Sequence, residues 1–420
     1  MSPLSLSLRS MLNRKWTTIL TLFAISLSVT LLLSIERIRE GTKDSFSNAA
    51  SGIDLIVGGR GGSVQLLLFS VFNIGNATSN LSWESYEDVR QHPDIEWTIP
   101  LSMGDTHRGF KVIGTTEAYF EHFKVGSGRH IFLQKGQRFR QVFEAVVGSD
   151  VAELLKYDLG KEIILAHGDS HEGILDHDDR PFHIVGILGK TGTPVDRVIL
   201  VSLESVEAMH FDWHDGAPPR EEEHHDHEEI LRADLSPQHI STFLIGLKTK
   251  LGIFPIQRMI NEYKAEPLLA ILPGMTFREL WSIVSVVDTA LLLISFFVIV
   301  AGILGMLASL LTTLESRKRE IAILRSLGAR PASIFALFLS EALLLGLGGC
   351  LVGALFVYPL LWLLQPVIES RFGMLIPITH HLVYDMSVFL GVVGLALIAG
   401  SIPAWQAYKR SLSSGLTIRI

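Results

Sequence analysis

The chain has 420 residues, 48% of them hydrophobic, with a mean hydropathy of +0.35 and a formal charge of −7. That is too apolar for an ordinary soluble domain, so membrane spans are sought first. The single cysteine, Cys350, excludes both an intramolecular disulfide framework and a cysteine-built metal site; it lies in an apolar run and reads as a packed, inert thiol.

In chain order, residues 1–15 place Leu4, Leu8, Met11 and Leu12 on one helical face with Arg9 alongside. This is either a membrane-surface helix or an ordinary flanking segment. Four runs then meet the requirement of about 20 apolar residues for a span: 16–35, 283–313, 333–363 and 386–407. The first follows Arg9, Arg14 and Lys15 and ends in "SIERIRE" without a small-residue cleavage site, so it reads as an uncleaved anchor. The second would be about 46 Å long as one helix, more than a bilayer needs, and is predicted to begin outside the membrane as a stalk.

The fold class predicted is therefore four transmembrane helices with a large α+β domain, residues 36–282, between helices 1 and 2. Its strand-like runs are "GIDLIVGG", "FKVIGTT", "EAVVGS", "KEIILAHG", "FHIVGILG", "DRVILVS" and "TFLIGLK", closed by Gly or polar residues. Helical spacing marks "DVAELLKYDL" and "IFPIQRMINEYKAE", and "LSWESYEDVRQHPD" begins with a Ser82 cap and stops before Pro93. Residues 364–385 form a short loop holding Pro366, Pro377, His380 and His381, and residues 408–420 a tail.

Charge orients the chain. Arg9, Arg14, Lys15, Arg317, Lys318, Arg319, Arg325, Arg330, Lys409, Arg410 and Arg419 flank the spans on one side, opposed only by Glu315 and Glu320. On the other side, residues 36–282 carry 24 Lys and Arg against 37 Asp and Glu. By the positive-inside rule both termini and the connector 314–332 are cytoplasmic, and the large domain is extracytoplasmic. The basic residues hug the membrane, so a lipid surface and not nucleic acid is their partner.

Catalytic motifs fail one by one. "GILGKTGTP" invites a phosphate-loop reading, but Ile184 stands where that loop needs its first Gly. "VGGRGG" at 57–62 misses dinucleotide spacing and reads as a tight backbone path using positive φ. No nucleophile elbow or zinc-protease pair occurs, so no enzyme is predicted. Glu341, about two turns into the third span, is expected to pair with Arg325 or Arg330. Asp288 falls near the start of the second span, where interfacial solvation explains it. Gly346, Gly348, Gly349 and Gly353 make a small helix face, read as helix packing that extends to a contact between copies.

From 167 to 239 the chain carries ten of its sixteen histidines, many in two acidic stretches, "HGDSHEGILDHDDRPFH" and "HFDWHDGAPPREEEHHDHEEI". Imidazole and carboxylate suit zinc, nickel or copper. The candidate ligands are His167, His171, His177, His183, His210, His214, His224, His225 and His227; the competing reading is a solvated acidic loop or a weak metal sponge.

"KREIAILRSLGARPASIF", residues 318–335, resembles the signature of the MacB/FtsX-type ABC transporter permeases. "RSMLNRKWTTILTLFAISLSV" resembles that family's entry into its first span, and "SIPAWQAYKRS" its exit from the fourth. "AVVGSDVAELLKYDLGKEIIL" and "FHIVGILGKTGTPVDRVILVSLES" resemble its extracytoplasmic domain. The histidine-rich insert and the ending "SLSSGLTIRI" depart from the pattern. The resemblance implies that the connector couples the membrane part to a separate ATPase through Glu320, Ile321, Ile323, Leu324, Arg325, Leu327, Gly328 and Ala329. It implies a permease dimer with two ATPase subunits that use the ATP, and it extends to a periplasmic adaptor or hydrolase. The expected function is mechanotransmission for export or extraction of cargo from a bacterial inner membrane. The alternatives are an FtsX-type regulator of a periplasmic hydrolase or signal, or a zinc-handling system built on the insert. Locally, Ile321 and Leu324 can share an apolar face, and Gly328 can close the helix in a left-handed cap.

Overall fold

The computed structural model describes residues 7–8, 11–126, 128–167, 180–211, 230, 233–316, 321–323, 326, 328–372 and 382–409. These divide into two compact units, one of residues 1–41, 284–367 and 376–420, the other of 42–283 and 368–375.

The first unit is built from four helices long and apolar enough to cross a membrane: α1 (Lys15–Ala49), α8 (Pro273–Ser316), α9 (Pro331–Phe372) and α10 (Leu382–Lys409), of which α1, α8 and α9 extend into the second unit's residues. Their shared core joins Ile25, Val29 and Leu33 of α1, Met306 and Leu310 of α8, Leu345, Cys350 and Val357 of α9, and Val392 and Ala396 of α10. Cys350 is fully buried there. The glycine face of α9 is spent inside this core: a Cβ at Gly349 would strike Ile25, one at Gly353 would strike Val29, and one at Gly346 would press on Ala396. The expected helix packing is thus met by α1 and α10 of the same chain. Absence of side chain lets backbones approach closely enough for Thr30 Oγ1 to donate to Gly353 O at 3.0 Å.

Charges at the helix ends are also partnered. Arg37 donates to Asp385 at 2.7 Å, with the Arg37 side chain 5% exposed. Arg39 pairs with Glu36 at 2.7 Å and Glu40 at 3.3 Å. Glu341 is buried in α9; Arg330 is exposed, and Arg325 lies outside the described residues. Ser7 Oγ donates to Leu337 O at 3.1 Å, while Met11 packs against the helix core and Leu8 and Leu12 are exposed.

The second unit is a mixed sheet of eleven strands among the described residues, ordered β15-β1-β14-β3-β4-β12-β8-β11-β7, with β10 on β3 and β9 on β11; its edges are β15 (Leu268–Ile271) and β7 (Leu133–Gly136). The strands used below are β1 (Leu55–Gly59), β3 (Ile95–His107), β4 (Phe110–Thr115), β8 (Glu144–Val147), β9 (Glu162–Ile163), β10 (Ala166–His167), β11 (Phe182–Leu188), β12 (Val198–Ser202) and β14 (Thr242–Leu247). β4–β12 and β8–β11 are parallel.

The runs are continuously apolar because both sheet faces are covered. Along β12, Val198 and Leu200 enter one core while Ile199 and Val201 enter another. Leu244 likewise faces the first core, and Phe243 and Ile245 a third. Each fully buried side chain of this kind contributes about 1.5–3 kcal/mol. The α+β expectation holds, and the Ser82 cap is observed, accepting from Ser85 N at 3.3 Å before helix α3 (Trp83–Arg90).

One sequence reading changes in detail, and the rejected phosphate loop gains a structural reason. The "VGGRGG" glycines do not adopt positive φ. They are small for lack of room: Leu66, Ser79 and Thr78 occupy the places that Cβ atoms at Gly58, Gly59 and Gly61 would take. In "GKTG", the amides of Thr191 and Gly192 donate to the carboxylate of buried Asp196 at 2.6–3.1 Å. The donors that a phosphate would need are already engaged by this chain's own anion.

Candidate coupling segment and histidine sites

α8 ends at Ser316 and α9 opens on Pro331, which suits a first helical turn because proline has no amide hydrogen to leave unbonded. Between them, residues 321–323 are helical. Ile321 packs, partly buried, on a cluster of Leu314, Ile334, Phe338, Ala404 and Ala407, and Ala322 is buried. Ile323 instead stands 48% exposed. Ser326 Oγ donates to Ile323 O at 2.8 Å, holding the turn. Gly328 has φ +93, the left-handed conformation that favours glycine at a helix end. Ala329 is half-buried and Arg330 exposed. The segment thus has one side seated on the helix ends, and it turns at least one large apolar side chain outward. Glu320, Leu324, Arg325 and Leu327 lie outside the described residues.

Of the histidines, His171, His177, His214, His224, His225 and His227 lie outside the described residues. His167, in β10, stands opposite Asp105 of β3 in an antiparallel ladder. His183 of β11 faces Glu162 of β9 across another ladder, Nδ1 to Oε1 at 3.9 Å, with both side chains more than half exposed. His210 follows helix α6 (Leu203–Met209); its Nδ1 lies 2.9 Å from Val206 O and its Nε2 3.6 Å from Asp105 Oδ1. Burial pulls the His210 imidazole down, but Asp105, Val206 O and Glu207 outweigh it, and the pKa is raised overall.

Sequence reasoning missed Asp105, which lies in a long strand far from the insert; only its carboxylate chemistry could have marked it. Next to it on β3, His107 is held by Tyr157, Nε2 to Oη at 2.8 Å, and by Ile164 O on Nδ1. Among the described residues no group of three or more His, Cys, Asp or Glu side chains is gathered tightly enough to hold a metal ion.

A family model described as the MacB-like periplasmic core domain matches residues 18–224, and one described as the FtsX-like permease C-terminal matches residues 292–412. Together they span most of the chain. None of the curated proteins matches the sequence. Many solved structures resemble parts of it, among them these two. The periplasmic region of MacB from Actinobacillus actinomycetemcomitans is 11% identical, over 56% of this chain and 94% of that one, with a TM-score of 0.34. The extracellular domain of the noncanonic ABC-type transporter YknZ from Gram-positive bacteria is 12% identical, over 52% and 98%, with a TM-score of 0.30.

Proposed function

Because the chain belongs to the MacB/FtsX-like family of ABC transporter permeases, we propose that it is the non-catalytic membrane subunit through which a separate cytoplasmic ATPase moves an extracytoplasmic domain. The observation that carries this reading is the connector between α8 and α9. One side of it, Ile321 and Ala322, is seated on helix ends, while Ile323 is exposed in a stretch whose sequence is basic. An apolar side chain presented there suits a groove on a partner better than water, and the seated side gives it a mechanical path into the helices. Nucleotide hydrolysis on the ATPase then drives rigid-body motion. The permease works as a dimer in a bacterial inner membrane, with both termini cytoplasmic and the sheet unit outside. The cargo is extracted or exported from that side, with a periplasmic adaptor as its receiver.

The test is co-purification of the full chain with an ABC-type ATPase from the same cell, in detergent or nanodiscs. Ile323→Asp should abolish the copurified ATPase without disturbing the helices, since the side chain is already exposed. Maleimide should label Ser326→Cys, made in a Cys350→Ser background, only in inside-out vesicles. Labelling of that cysteine from the outside of intact cells would overturn the reading.

A further inference from the structure

We propose that the cleft between the first turns of α1 and the last turns of α8 binds one anionic phospholipid, its headgroup on the basic rim and its chains along the α8 wall. The proposal rests on the four spans alone and requires no ATPase partner.

The two helices touch and then part. Ser28 Oγ donates to Val298 O at 3.2 Å, and a Cβ on Gly302 would lie 3.3 Å from Ser28 Oγ and 3.5 Å from Ala24 O. One turn further along α8, a Cβ on Gly305 would meet nothing within 4 Å. The cleft that opens there has a volume of about 700 Å³, inside the roughly 300–1,000 Å³ of sites that enclose a small organic molecule.

Its walls suit hydrocarbon. On α8, Gly305, Ala308, Ser309 and Thr312 follow the i, i+3, i+4, i+7 spacing of one helix face, and all are small. On α1, Trp16 is 76% and Leu20 69% exposed. The threonine hydroxyls have their hydrogens engaged: Thr312 Oγ1 donates to Ala308 O at 2.8 Å, Thr17 Oγ1 to Arg14 O at 3.0 Å and Thr21 Oγ1 to Thr17 O at 2.9 Å. They offer no donor to a ligand.

The donors lie at one end. Asn13, Arg14 and Lys15 line the cleft where α1 begins, and the helix dipole is positive at that end. None of the described lining residues is Asp or Glu. A site that is cationic at its rim and apolar along its walls fits an amphiphile with an anionic head, as basic pockets between spans do. Trp16 belongs at headgroup depth, where aromatic rings gather. A free phosphate would use the rim alone and leave the apolar walls wet. A second copy docked there about a two-fold axis would bring the same basic rim to the contact, like charge against like. The lipid would hold α1 and α8 apart at the end where α8 leads into the connector.

The experiment is native mass spectrometry of the full chain released from nanodiscs in which phosphatidylglycerol is the minority lipid and phosphatidylcholine the majority. The wild-type chain should retain one lipid, and that lipid should be phosphatidylglycerol well beyond its share of the mixture. Arg14→Gln and Lys15→Gln should each lower its retention about fivefold. Gly305→Leu should fill the cleft and abolish retention, whereas Gly391→Leu, which also meets no neighbour, should leave it unchanged. Excess glycerol phosphate should not displace the lipid. Wild-type retention of the two lipids in proportion to the mixture would overturn the proposal without recourse to any variant. So would full retention in Gly305→Leu, displacement by glycerol phosphate, or a Gly305→Leu variant that changes oligomeric state but keeps its lipid.

Discussion

In the four-helix unit the closest approaches occur where there is least side chain: Gly349 against Ile25, Gly353 against Val29, Gly346 against Ala396. In the sheet unit glycines such as Gly59 and Gly246 are also crowded by neighbours, but the core is filled by large side chains, as around Phe243, which is fully buried and edge-on to Tyr86 at 5.2 Å between ring centroids. Lipid offers apolar surface everywhere, so burying a leucine between spans brings little and backbone proximity brings more. Water makes the opposite choice, and the sheet is held by its large side chains on two faces. Added volume at the α9 glycines and removed volume at the sheet's large core side chains should therefore be the most damaging changes in the respective units.

The largest expected effect is Gly353→Leu. With Val29 and the Ser26 carbonyl in the way, the four helices should fail to assemble, seen as loss of the monodisperse peak in size-exclusion chromatography. A normal peak would erase the contrast. Phe243→Ala should cost the sheet unit about 3–5 kcal/mol, read as lost hydrogen-exchange protection in β14 with α9 and α10 unchanged.

Asp385→Asn comes next, because it leaves the guanidinium of Arg37, 5% exposed, without its carboxylate. A loss of about 1–3 kcal/mol is expected, visible as a lower melting temperature, and Arg37→Leu with Asp385→Leu should recover most of it. The smallest effect is Ser202→Ala. It removes the side-chain acceptor for Ser205 N at 3.1 Å at the start of α6, worth about 1 kcal/mol and confined to exchange in that helix.

The spans and most sheet strands were legible in the sequence because each is a local pattern: a long apolar run, or a short β-rich run closed by glycine. β3 was not, since Pro100 and the polar "SMGDTH" interrupt a thirteen-residue strand. It nevertheless persists, pairing β14 on one side and β4 on the other, with a register shift between Met103 and Thr106. Helix α2 (Ser63–Phe72) was equally hidden, its run "SVQLLLFSVF" being apolar on too many sides to show a period. Arg37 and Asp385, 348 residues apart, could not be paired from spacing. The same holds for His210 and Asp105, where residue type pointed to the histidine and only the fold supplied the carboxylate. In the connector, composition indicated an apolar face, but not that Ile321 would be turned inward and Ile323 outward.

The glycine face of α9 also governs how the sequence can drift. Its positions are already filled by neighbours within the chain, whereas Gly305, Gly391 and Gly394 have open space where a Cβ would go. Random mutagenesis followed by selection for expression should leave Gly349 and Gly353 invariant and let Gly391 and Gly394 wander to bulkier residues. Two classes of glycine, indistinguishable by residue type, would then separate by their histories.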